Sequence, residues 1–77
     1  MSAITVYTAP RCVQCRATKR KLDALGADYT EINVREDQEA HDYVTSLGYT
    51  GAPVVVAGDE HWSGFRPEKL AAVVAAS

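Results

Sequence analysis

The sequence predicts a small α/β fold with the element order β-α-β-α-β-β-α. Three observations carry that reading. A chain of 77 residues can enclose one thin core, because a domain of this size buries only about 60% of the surface its unfolded chain exposes. Its apolar residues switch between a period of two and a period near 3.6. Glycine or proline stands at most of the switches. One domain over residues 1–77 fits, since neither a repeat nor a linker divides the chain.

The elements follow in order. Ala3 to Tyr7 alternate Ile4 and Val6 with Thr5 and Tyr7, the pattern of a half-buried strand. Thr8-Ala9-Pro10-Arg11 reads as a loop. From Cys12 the spacing turns helical: Cys15, Thr18, Leu22 and Leu25 share a face, and Gly26 stands where a C-terminal cap belongs. Tyr29 to Val34 is the second strand, with Ile32 and Val34 apolar. Ala40, Tyr43, Val44 and Leu47 then form an i, i+3, i+4, i+7 stripe that Gly48 ends. Pro53 opens Val54-Val55-Val56-Ala57, a short apolar run typical of a strand covered on both faces. Gly58-Asp59 is a two-residue hairpin signal, and Glu60 to Ser63 is the returning strand. Pro67 and Glu68 suit the first turn of a last helix, whose buried face is Leu70, Val73 and Val74.

Composition narrows the function classes. The chain is 47% hydrophobic and 23% charged, with three Pro and five Gly, which excludes a disordered tail. No apolar run reaches the roughly 18 residues of a membrane span, and Met1-Ser2-Ala3 does not open a signal peptide, so a cytoplasmic location is expected. A net charge of -2 argues against general affinity for nucleic acid. The charge is uneven, however. Arg11, Arg16, Lys19, Arg20 and Lys21 lie close together, as do Glu36, Asp37, Glu39 and Asp42; taken alone, both groups read as solvated helix faces.

The chemistry centres on Cys12 and Cys15. Small secreted domains use four or more cysteines as a framework, whereas one C-x-x-C pair without a signal peptide reads as redox or metal chemistry. A helix beginning at Cys12 brings its sulfur beside the unpaired N–H groups of the first turn, which favour a thiolate. Arg11 and Arg16 add positive potential. Cys15 lies one turn on, within disulfide reach of Cys12 and on the apolar stripe. One cysteine is thus placed to attack an external disulfide and the other to resolve the mixed disulfide. Packed, inert cysteines are the plain alternative, but a loop–helix junction is a poor place for them. A metal site needs two further ligands. The only histidines are His41, off the stripe of its helix, and His61, beside Trp62 and far in sequence from the cysteines. A metal or iron–sulfur centre bridged between two chains is a separate reading. Pro53 has two readings of its own: a strand opener, or a cis peptide presenting a turn beside the cysteines.

Cys12-Val13-Gln14-Cys15 after a strand, with Ala52-Pro53 before a valine run, resembles the thioredoxin superfamily, and the length and element order resemble its glutaredoxin branch. Together with Trp62-Ser63-Gly64-Phe65-Arg66-Pro67, the C-x-x-C segment resembles the paired signatures of NrdH-redoxins from end to end.

The resemblance implies a thioredoxin fold in its minimal glutaredoxin-like form, with a four-stranded mixed sheet and three helices. It implies a protein dithiol–disulfide oxidoreductase that takes electrons from NADPH through thioredoxin reductase. The electrons pass to the large subunit of class Ib ribonucleotide reductase. Cys12 is then the nucleophile, Cys15 the resolving thiol and Pro53 the cis-proline. Val13, Gln14, Ala52, Pro53, Trp62, Ser63, Gly64, Phe65 and Arg66 are the expected substrate- or partner-binding residues, with Trp62 and Phe65 as an apolar platform. Plain core packing is the alternative for those two rings. The expected protein is a monomer that binds no metal and no cofactor beyond its redox-active disulfide. A glutathione-linked glutaredoxin is the nearer alternative. Val13-Gln14 replaces the Pro-Tyr of that branch, and Phe65-Arg66 stands where an acid grips glutathione's amino group. The potential is accordingly expected nearer thioredoxin's roughly -270 mV than the roughly -200 to -230 mV of glutaredoxins.

Overall fold

The computed structural model describes residues 3–76. Its elements are β1 (Ile4–Thr8), α1 (Val13–Ala24), β2 (Thr30–Asn33), α2 (Gln38–Ser46), β3 (Val54–Ala57), β4 (Glu60–Ser63) and α3 (Pro67–Ala76). The strands form one mixed sheet in the order β2-β1-β3-β4. β1 pairs parallel with β2 and antiparallel with β3, and β3 pairs antiparallel with β4. This is the thioredoxin/glutaredoxin arrangement. Among the described residues no helix is long and apolar enough to cross a membrane.

Strand alternation sorts the side chains onto two faces. Ile4, Val6, Val55, Ala57 and Trp62 point to one face and pack with Leu22 of α1 and Leu70 and Val73 of α3 as the main core. The other face carries Tyr7 and Val54. There α2 lies across the sheet, with Ala40 and Val44 buried and the Tyr43 ring 5.7 Å from that of Tyr7. Tyr43 departs from the buried stripe the sequence predicts for α2. It is 41% exposed, because a helix of nine residues offers this narrow sheet only the width of Ala40 and Val44.

Both inner helices end as their glycines predict. Ala27 N–H donates to Leu22 C=O and Gly26 N–H to Asp23 C=O, and Tyr49 and Gly48 repeat the pattern on Val44 and Thr45. Gly26 and Gly48 take φ of 69° and 96°, the left-handed geometry this cap requires. The start of α2 is closed by Asp37, whose carboxylate accepts from Ala40 N–H at 3.0 Å.

Two strands differ in extent from the expectation. β1 runs to Thr8 rather than Tyr7, because Thr8 still pairs with Asn33 of β2 and is buried. β2 is shorter at both ends than Tyr29–Val34, since the paired register runs from Thr30 to Asn33, after which Val34 N–H makes a last bond to Thr8 C=O at 2.9 Å.

Candidate active site

Cys12 and Cys15 lie past the end of β1, on the side of the sheet that carries α1. Cys12 is the N-cap of α1, with an extended backbone, and Cys15 N–H donates to its sulfur at 3.0 Å. The two sulfurs are joined in a disulfide, with Cα atoms 5.2 Å apart. Cys15 is 2% exposed, whereas Cys12 is half-buried. No acid occupies the first turn of the helix, so nothing there opposes the positive end of its dipole.

Three segments distant in sequence are tied together through the cysteine segment. The Ala52–Pro53 peptide is cis, and Pro53 C=O accepts from Gly64 N–H at 2.9 Å. Gln14, inside the C-x-x-C, accepts through Oε1 from Phe65 N–H at 3.2 Å. Gly64 has φ of 88°, and a Cβ there would sit 3.4 Å from that same Oε1. The turn from Trp62 to Pro67 is therefore fastened to both the cysteine segment and the proline loop. Arg66, just ahead of α3, is tied to the first turn of that helix, with Nε 2.7 Å from Glu68 Oε1.

The expected contact residues divide by exposure. Val13 is 72% exposed beside Cys12, and Gln14 and Ser63 are also exposed, while Ala52, Gly64 and Phe65 are half-buried. Pro53 and Trp62 are buried. The platform expected of Trp62 is not offered to solvent. Its strand position points the indole into the main core, under the Lys69 ammonium 5.7 Å from the ring centre. Val13 and the open part of Phe65 supply the apolar surface instead. Both histidines lie off the cysteine cleft. His41 is exposed on α2, and His61 Nδ1 is 2.7 Å from the Tyr49 hydroxyl.

The cysteines open into a cleft of about 490 Å³ whose walls include Thr8, Arg11, Arg16, Lys19, Glu31 and Asn33. Glu31 is its one acid. The hydrogen bond from Lys19 Nζ, at 2.9 Å, holds its carboxyl below the usual carboxylate range, and the Thr8 hydroxyl adds a second at 3.0 Å. Sequence reasoning did not find Thr8, Glu31 or Asn33. They meet only through the parallel pairing of β1 with β2, and the one local signal was a threonine closing an otherwise apolar alternation.

A buried and an accessible sulfur at a helix start, tied through the Gly64–Phe65 turn to a cis-proline loop, define a thiol–disulfide oxidoreductase of glutaredoxin-like fold. Comparison with known proteins agrees. Residues 4–62 match the glutaredoxin family model. The chain is 48% identical over 67 residues to the glutaredoxin-like protein NrdH of Escherichia coli K12, covering 87% of this chain and 83% of that one. Against NrdH of Lactococcus lactis (strain MG1363) it is 38% identical over 68 residues, with coverage of 88% and 94%. The solved structure of the Escherichia coli NrdH-redoxin superposes with a TM-score of 0.88 at 46% identity, over 91% of this chain and 92% of that one. The chain belongs to the glutaredoxin family, in its NrdH-redoxin branch.

Proposed function

We propose that the chain, acting as a single cytoplasmic monomeric domain, carries electrons from NADPH-dependent thioredoxin reductase to the large subunit of class Ib ribonucleotide reductase. The observation that carries this reading is the inequality of the two sulfurs. Cys15, at 2% exposure, is out of reach of an external disulfide, whereas Cys12 borders the cleft with a backbone N–H on its sulfur. After reduction that N–H and the helix dipole favour a Cys12 thiolate. The thiolate attacks the target disulfide, one target sulfur leaves as a thiol, and a mixed disulfide forms. Cys15 then displaces the second target sulfur and closes Cys12–Cys15, so that two electrons and two protons have passed to the target.

The choice of reductant rests on the surroundings. Val13, Gln14, Ala52, Pro53, Ser63, Gly64, Phe65 and Arg66 form the partner-facing rim, with Trp62 supporting it from the core. Arg66 pairs with Glu68, and no acid stands in the segment from Ser63 to Arg66 to pair glutathione's amino group. The Escherichia coli NrdH-redoxin has a thioredoxin-like activity profile, which supports the same reading here. The deciding experiment follows NADPH oxidation with insulin as acceptor, using thioredoxin reductase in one reaction and glutathione with glutathione reductase in the other. Turnover with thioredoxin reductase alone is expected, and ribonucleotide reductase is then the next acceptor to supply. Turnover with glutathione alone replaces this reading with a glutathione-linked one. A redox titration should place the pair nearer about -270 mV than about -200 to -230 mV.

A further inference from the structure

We infer that the cysteine cleft docks an acidic segment of the partner protein, recognised by the guanidinium groups of Arg11 and Arg16; the inference rests on the dithiol-exchange reading above. Three cations, Arg11, Arg16 and Lys19, line the cleft against the single acid Glu31. That acid is already engaged by Lys19 and Thr8. Arg11 and Arg16 are exposed, and among the described residues neither side chain has an ion pair or hydrogen bond. They flank Cys12 at the acid-free, positive end of α1.

The backbone at Arg11 is also unusual. Its φ is 59°, the one non-glycine residue in the left-handed region among those described. Glycine would sit there without strain, yet the position carries a long cation beside the reactive sulfur. The remainder of the molecule is acidic enough to bring the net charge to -2. A long polyanion such as nucleic acid is repelled by that remainder. A short acidic segment senses only the cleft, because screening limits charge interactions to about 8 Å at physiological ionic strength.

The test uses the full chain, reduced with dithiothreitol and desalted. Its substrates are two synthetic peptides with the same internal disulfide, one flanked by glutamates and one by lysines, and neutral hydroxyethyl disulfide. In each reaction the protein dithiol becomes the Cys12–Cys15 disulfide and the substrate disulfide becomes two thiols, so electrons and protons balance. The acidic peptide should react about tenfold faster than the basic one at low salt, the size two exposed charge pairs provide. The preference should vanish in about 1 M salt, where screening acts within about 3 Å. Taking the ratio of the two peptides cancels any change in intrinsic sulfur reactivity. In the Arg11→Glu/Arg16→Glu double variant the ratio should fall below one, whereas Lys21→Glu, on α1 but outside the cleft wall, should keep it. Equal rates at low salt, or a preference the double variant retains, overturns the inference. Failure to reduce even hydroxyethyl disulfide removes the exchange reading itself.

Discussion

At Cys12 one sulfur both caps α1 and reacts, so the choice of substitution decides what is learned. Serine is a good N-cap, and Cys12→Ser should keep the helix start while abolishing exchange. Cys15→Ser should leave attack intact and accumulate a mixed disulfide, visible as a mass adduct that dithiothreitol releases. Equal loss in both variants with no adduct would sink the assignment of roles. Glu31 sets a second residue-scale expectation. Its carboxyl lies below the ordinary range chiefly because Lys19 donates to it, so the folded state favours the ionised form. That contribution is present above the unfolded pKa and is lost as pH falls through the lowered folded value. Glu31→Gln should therefore be less stable than the parent near neutral pH, and the difference should shrink in acid. With the two side chains 29% and 42% exposed, it should stay below about 1 kcal/mol. A difference that grew on acidification would contradict the linkage.

Among the elements, the turn between β4 and α3 is the most sensitive to a single atom. Gly64→Ala would place a Cβ at a φ of 88° and against Gln14 Oε1. The backbone cost is about 1–2 kcal/mol, or a Tm lower by roughly 4–8 °C per kcal/mol for a domain of this size. An unchanged melting curve would show that the turn relaxes elsewhere. The same scale shows what was readable beforehand. Gly26, Gly48 and Gly58 marked ends and a turn, because caps and hairpins are set by neighbours in sequence. The end of β1 was not readable, because whether Thr8 continues the strand depends on Asn33 lying opposite it. Tyr43 and Trp62 could not be separated by type. Both are large and amphipathic, and only the faces of α2 and β4 decide that one lies half-open against Tyr7 and the other enters the core.

For the whole molecule, the disulfide adds stability without organising the core. It closes a loop of only a few residues, worth about 2 kcal/mol in the chain-entropy account, and neither cysteine belongs to the main core cluster. Reduction should leave far-UV circular dichroism unchanged and lower the Tm by roughly 8–16 °C on the same scale, and loss of secondary structure on reduction would refute this. The cysteine pair and its helix were legible in the sequence because their signal is local. The cleft around them was not, since it is assembled from β1, α1 and β2 by sheet pairing. The tie from Phe65 N–H to Gln14 Oε1 joins residues 51 positions apart, so it survives only while the two ends of the chain are held together. The Phe65 amide is thereby a resident gauge of the site. Its hydrogen exchange should quicken whenever the turn lifts away from the cysteines and slow when a partner clamps it. A single resonance would then report docking without any label on either protein.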